Sequence, residues 1–161
     1  MTSQQVRATV ITVSNRAASG TAADVSGPIA VQELSNLGYD VSTEVIHDGT
    51  DRVADALTRA ARSGARVIIT TGGTGVTPLD LTPEGTAKVL ERELPGIPEA
   101  IRAKGAQALP TAVLSRGRAG TIGESFVCNL PGSPGGVRDG MAVLTPMLDH
   151  ILDQLVGGNH E

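Results

Sequence analysis

Asp48, Asp80 and the run Thr70-Thr71-Gly72-Gly73-Thr74-Gly75 are the residues whose types suit chemistry on a phosphorylated ligand. Glycine tolerates positive φ and lets backbone N–H groups approach an anion with no Cβ in the way. Two carboxylates beside such a run match hydrated Mg²⁺, which takes one or two protein carboxylates and otherwise water and substrate phosphates. The run is not a Walker loop, because no Gly-Lys-Ser/Thr follows it. The dinucleotide fingerprint also fails, since Pro78 stands where its last glycine belongs. Each residue has a plainer use as well. The glycines suit a strand-to-helix turn, and Asp48, just before Gly49 and Thr50, suits a turn or a helix cap.

Other reactive residue types offer less. His47 fits a general base or a half-buried strand position equally well, His150 lies beside a helical stripe, and His160 stands in a polar tail. None has metal-ligand spacing. Cys128, between Val127 and Asn129, reads as a small core residue rather than a nucleophile. As the only cysteine it can form neither an internal disulfide nor a cysteine-based metal cage. Arg116 and Arg118 either reach an anionic ligand or stand solvated.

The elements that must position these residues alternate between two periods. Val6 to Val13 is short and β-branched, a buried strand; Ser14 to Gly27 is rich in small residues, a loop. Pro28 to Leu37 is helical and stopped by Gly38, and Asp40 to His47 is a second strand. Thr50 or Asp51 opens a helix that buries Val53, Ala54, Leu57, Ala60 and Ala61 and ends at Gly64. Arg66 to Thr71 is the strongest strand. The order βαβαβ predicts an α/β layer fold with a largely parallel sheet. Later, Thr82 as cap, Pro83 and Glu84 open a helix to about Glu93, where Pro95-Gly96 breaks it. Pro98 opens another helix, and Ala119 to Gly123 and Ser125 to Leu130 form a hairpin. Val137, Met141, Leu144, Leu148, Ile151 and Leu155 make a last helical stripe, which Pro146 bends or splits.

In such a sheet, ligands bind at the carboxyl ends of the strands. Those ends are Ser14-Asn15-Arg16, His47-Asp48-Gly49, the glycine run at 72–75, and the segment from Asn129 to Gly136. All are small, polar or acidic. Asp80 precedes the Thr82 cap and so belongs to a loop, which places it on one crevice with Asp48.

Composition narrows the classes. Among 161 residues, 13 basic and 17 acidic side chains leave a net charge of −4, and no basic run marks a polyanion-binding surface. Tyr39 and Phe126 are the only aromatics, which excludes an aromatic platform for single-stranded nucleic acid. The apolar stretches fall short of the roughly 18 residues that a membrane span needs. The start, Met-Thr-Ser-Gln-Gln, has no signal-peptide character. The expectation is a soluble, cytoplasmic protein with no nucleic-acid or membrane partner. It folds as one domain over residues 1–161, with a polar tail from about residue 157.

Four segments in order carry a resemblance: the run at 70–75, Asp80-x-Thr82-Pro83-Glu84, Leu114-Ser115-Arg116 and Asn129-Leu130-Pro131-Gly132-Ser133-Pro134. Together they resemble the molybdenum cofactor biosynthesis family, which includes bacterial Mog and MoaB proteins and the G domains of plant Cnx and gephyrin. The likeness runs from about residue 6 to 156 and is strongest to the Mog branch, the molybdopterin adenylyltransferases. It implies a three-layer α/β/α sandwich, mostly parallel with a late β-hairpin, assembled as a homotrimer. It also implies transfer of AMP from Mg²⁺-ATP to the terminal phosphate of molybdopterin, release of pyrophosphate, and delivery of the product to a molybdenum insertase. The family's two essential aspartates, catalytic and Mg²⁺-holding, fall on Asp48 and Asp80. Gly72, Gly73, Thr74 and Gly75 are similar to its nucleotide-side loop. Ser115, Asn129, Pro131, Gly132 and Ser133 match its molybdopterin side, to which Ser14 in the first-strand loop is also assigned.

The implied chemistry suits the residues. Transfer at an α-phosphate is chiefly positioning and charge neutralisation, and the pterin phosphate is already an anionic nucleophile, so no activated Ser or Cys is required. The uncharged groups of Ser115 and Asn129 suit the mixed hydrogen-bonding edge of a pterin, and Asn129→Leu is expected to weaken that side. Two positions depart from the family. Asn15 stands where many relatives carry Asp, and Val76-Thr77-Pro78-Leu79 lacks basic residues that some members show. A non-catalytic trimeric carrier of molybdopterin, or a nucleotide-binding enzyme with another acceptor, are the competing readings. The aspartate pair favours the adenylyltransferase over the carrier, and the Asn-Leu-Pro-Gly-Ser-Pro segment favours it over the other enzyme.

Overall fold

Strand-length runs of β-branched residues, separated by amphipathic helices, fold here into one sheet with helices on both faces. The structure is a computed structural model that describes residues 4–158; His160 and the end of the expected tail lie outside the described residues. In chain order the elements are β1 (Arg7–Val13), a single turn α1 (Asn15–Ala18), α2 (Ser26–Asn36), β2 (Asp40–Ile46), α3 (Thr50–Arg62) and β3 (Val67–Thr71). Then come α4 (Thr82–Ala87), β4 (Arg92–Glu93), α5 (Gly96–Ala106), a 3₁₀ segment (Pro110–Leu114), β5 (Ala119–Ile122) and β6 (Ser125–Leu130). The chain closes with α6 (Pro134–Leu144), a 3₁₀ turn (Thr145–Met147) and α7 (Leu148–Leu155).

The sheet order is β2-β1-β3-β6-β5-β4. The first four strands are parallel, β5 runs against β6, and β4 runs against β5. Register brings Val10, Ile69 and Cys128 side by side, with Ile11, Ile68 and Val127 on alternate positions. The first set packs with Leu34 of α2, Met141 of α6 and Leu148 of α7; the second packs with Val53 and Leu57 of α3. Both sets are buried, and each such aliphatic side chain contributes roughly 1.5–3 kcal/mol to holding its layer in place. The result is the three-layer α/β/α sandwich.

Several boundaries differ from the sequence reading, each for a local reason. The expected loop at 14–27 contains α1, because the Ser14 side chain caps it by accepting the Ala17 N–H at 3.2 Å. Helix α2 starts at Ser26, two residues early, where Asp24 Oδ1 accepts the Gly27 N–H at 3.0 Å. Helix α4 ends at Ala87, not Glu93. The residues beyond it leave the helix for the sheet, where Glu91 and Leu94 donate to the carbonyls of Thr121 and Ala119, each at 2.8 Å. Helix α5 opens at Gly96 rather than Pro98. Pro146 does split the last stripe, through the 3₁₀ turn between α6 and α7.

The two ends of the fold meet. The Arg66 N–H donates to the Arg7 carbonyl at 2.8 Å, and Arg66 Nη2 donates to the Leu152 carbonyl at 3.2 Å. The start of β1 and the last turns of α7 therefore share the amino-end edge of the sheet, opposite the carboxyl ends of the parallel strands.

Candidate functional site

Four parallel strands deliver Ser14, His47-Asp48, the glycine run and Pro131-Gly132-Ser133 to the same edge. The run turns sharply as it leaves β3. Gly72 has φ +90°, and a Cβ there would drive into the Val13 carbonyl oxygen. Gly73 has φ +67°, and a Cβ there would strike Thr82 Oγ1 and lie 2.5 Å from Asp48 Oδ2. Only glycine meets both demands. Thr82, fully buried, is the first residue of α4 rather than its cap. Its Oγ1 donates to the Gly72 carbonyl at 3.0 Å and its N–H to the Gly73 carbonyl at 3.1 Å, which ties the run to the helix.

The two aspartates flank this run. Asp48 Oδ1 accepts the Leu81 N–H at 3.0 Å, just before α4, and the Asp48 N–H donates to Asn15 Oδ1 at 2.9 Å. Asp48 is thus no side-chain cap of its own helix α3; it braces the start of α4 instead. Asp80 lies beside Gly75, where a Cβ would come within 2.8 Å of Asp80 Oδ2. That oxygen accepts the Thr77 N–H at 3.0 Å and its hydroxyl at 2.9 Å. Oδ1 has no protein partner among the described residues.

Electrostatics disfavour the charged form of Asp48. Burial pushes the Asp48 carboxyl above its ordinary value, backbone N–H groups of Leu81 and Gly49 pull it back, and repulsion from Asp80 and Glu84 raises it further. Glu84 is held below the usual carboxylate range, chiefly by its bond to the Arg116 guanidinium. Among the described residues no three or more His, Cys, Asp or Glu side chains form a metal cluster. Two carboxylates beside a glycine turn fit Mg²⁺, which keeps much of its water, better than a metal needing a full protein cage.

A cavity of about 500 Å³ opens beside the run. Gly73, Thr74, Gly75 and Asp80 form one wall, and Ser115 with Pro131, Gly132 and Ser133 forms another. Thr74 and Ser115 join the walls through a hydroxyl contact of 3.3 Å. Gly73, Thr74 and Gly75 of the nucleotide-side candidates and Ser115, Pro131, Gly132 and Ser133 of the pterin-side candidates thus line opposite walls of one cavity. Ser133 also caps α6 by accepting the Gly136 N–H at 3.1 Å. Ser14 stands apart, in a smaller crevice of about 350 Å³ with Ser26, Thr71 and Gly132.

Asn129 is not brought to the cavity. It is 3% exposed, and its Nδ2 donates to Thr70 Oγ1 and Thr86 Oγ1, each at 3.0 Å, while Oδ1 accepts the Arg118 N–H at 3.0 Å. Its amide is committed to the protein interior. His47 is exposed, His150 contacts Gln154, and Cys128 is buried with its thiol pushed up to about 12. Sequence reasoning missed the cavity's third wall, Leu109, Ala112 and Leu114 along the 3₁₀ segment. The sequence shows only that Leu109 and Leu114 bracket a segment opened by Pro110; the structure leaves them 58% and 51% exposed.

The chain is similar to known proteins along nearly its whole length. The family model described as "Probable molybdopterin binding domain" matches residues 9–150. A molybdopterin adenylyltransferase of Pyrococcus furiosus is 40% identical over 148 residues, covering 89% of this chain and 87% of that protein. A molybdenum cofactor biosynthesis bifunctional protein of Synechococcus elongatus is 39% identical over 156 residues; the match covers 96% of this chain but 49% of that protein, about half its length. The solved molybdopterin biosynthesis Mog protein of Mycobacterium ulcerans superposes with a TM-score of 0.91 at 45% identity, over 96% of this chain and 99% of that one. The family match over most of the chain, the identity to these relatives and the superposition along nearly the whole length show that the chain belongs to the molybdenum cofactor biosynthesis family of molybdopterin-binding domains.

Proposed function

We propose that the protein is a molybdopterin adenylyltransferase that uses ATP. An oxygen of the molybdopterin phosphate attacks the α-phosphorus of ATP, the bond to the β-phosphate oxygen breaks, and pyrophosphate leaves. The observation that carries this reading is the placement of Asp48 and Asp80 on either side of a glycine turn that walls the cavity containing Ser115 and Pro131 to Ser133. In it, the backbone of Gly73 to Gly75 receives phosphate oxygens, and the Ser115 and 131–133 walls hold the pterin. Thr82 keeps the turn rigid against α4, so that little reorganisation accompanies the reaction. Asp48 and Asp80 would hold Mg²⁺, which when bound supplies neutralisation of phosphate charge.

The carrier reading draws on one observation, the engagement of Asp80 Oδ2 by its own loop. Incubation with molybdopterin and MgATP labelled at the α-phosphate separates the two. Label on the pterin establishes transfer, whereas pterin binding without label establishes a carrier. The same reading includes a homotrimer over one domain of residues 1–161, a molybdenum insertase as recipient of the product, and a cytoplasmic location. The last is supported by a lone buried cysteine and by the absence, among the described residues, of any helix long and apolar enough to cross a membrane.

A further inference from the structure

Arg116 reaches both feet of the loop that carries Asp80. Its Nε donates to the Gly75 carbonyl at 2.8 Å and its Nη2 to the Asp80 carbonyl at 2.7 Å. Gly75 and Asp80 bound the loop, so one planar fork closes it. Nη1 bonds to Glu84 on α4, which anchors the fork. The Arg116 N–H also donates to the Thr74 carbonyl at 2.8 Å, beside the glycine turn. All three guanidinium nitrogens therefore face protein acceptors, two of them backbone carbonyls. A guanidinium engaged in this way is directed at the chain, and its rigid geometry fixes distances that a point charge does not.

The loop has little else to hold it. Val76 and Leu79 are 67% and 66% exposed, and the bonds from Thr77 to Asp80 lie within the loop itself. We infer that Arg116 is a positioning residue for the transfer reaction: it sets the span from Gly75 to Asp80, and through it the place of the Asp80 carboxylate, without touching the phosphates. This rests on the reading of Asp80 and the glycine turn as the nucleotide side of the cavity. The Glu84 partner stays ionised at neutral pH, so the anchor persists under working conditions.

Arg116→Lys keeps the charge and removes the fork. Two measurements on the whole chain test it: amide exchange at Thr77, whose N–H bonds Asp80 only while the loop keeps its shape, and AMP transfer with kcat and KM for ATP resolved. The expected result is Thr77 exchange about 10-fold faster or more with core amides such as Ile69 unchanged. Transfer should show kcat lowered by about 10-fold or more and KM for ATP within about threefold of wild type. Arg116→Ala should match Arg116→Lys in all three. If either variant fails to fold, Glu84→Ala releases the anchor while keeping Arg116, and should give the same changes at about threefold. Wild-type Thr77 exchange in the folded variants overturns the proposal. So does recovery of kcat by lysine, or a tenfold rise in KM for ATP in Arg116→Ala but not Arg116→Lys, which marks direct phosphate contact. Should the wild type transfer no AMP, the adenylyltransferase reading falls, and Thr77 exchange alone decides whether Arg116 holds the loop.

Discussion

At the residue scale, Asp48 sets stability against chemistry. Its carboxyl is raised above the ordinary value of 3.8, mainly by burial and then by repulsion from Asp80 and Glu84. Below that ordinary value the group is neutral in both folded and unfolded chains and costs nothing. As pH rises through the raised folded value the fold loses stability. Asp48→Asn keeps an oxygen for the Leu81 N–H, so it should raise the melting temperature at pH 7, with no gain below about pH 3.8, while transfer is lost. Paired thermal melts across pH check this. Asp80→Ala removes the bonds to Thr77, a local cost of about 0.5–1.5 kcal/mol. It should slow transfer at least ~100-fold, as removal of preorganised electrostatic groups does, and change molybdopterin affinity only a few-fold; labelled transfer and calorimetry measure the two effects. Asn129→Leu removes the partner of Thr70 Oγ1 and of the Arg118 N–H, and leaves Thr86 Oγ1 only its bond to the Thr82 carbonyl, so urea unfolding should show a loss of about 2 kcal/mol or more. Ligand affinity of the folded fraction should be unchanged. A pterin contact was a fair reading of an asparagine at a strand end, but the sequence does not say which face of β6 it occupies or that two threonines wait there.

At the element scale, the glycine turn and α4 work as one piece. Gly72→Ala pushes a methyl into the Val13 backbone, which cannot move aside as a side chain can. It should cost about 2 kcal/mol or more, visible as a lower denaturant midpoint. The strands other than β4, with α2, α3 and the split last helix, were legible because their hydrophobic period is local. The glycine turn and both aspartates were legible because residue type and loop placement restrict them strongly. The role of Thr82 was not: a threonine before Pro-Glu carries the same letters whether it caps a helix or, as here, bonds the carbonyl of a turn ten residues earlier. The short α4 was equally hidden, since only pairing of residues 91–94 with β5 reveals that the chain has left the helix. Long-range partners decide such ends, and one sequence does not name its partners.

At the scale of the whole molecule, the sheet is asymmetric. Its four parallel strands carry the site, β5 and β4 run antiparallel beyond β6, and the segment between α5 and β5 lines the cavity from the side. The proposed homotrimer should give a light-scattering mass about three times that of the chain at micromolar concentration; a monomer mass would count against it. The meeting of β1 and α7 at Arg66 has a practical corollary. Both ends of the described chain emerge from the pole facing away from the cavity, so a second polypeptide joined at either end need not cross its mouth. For the same reason, an affinity handle or fluorescent reporter placed at either end should leave the mouth open.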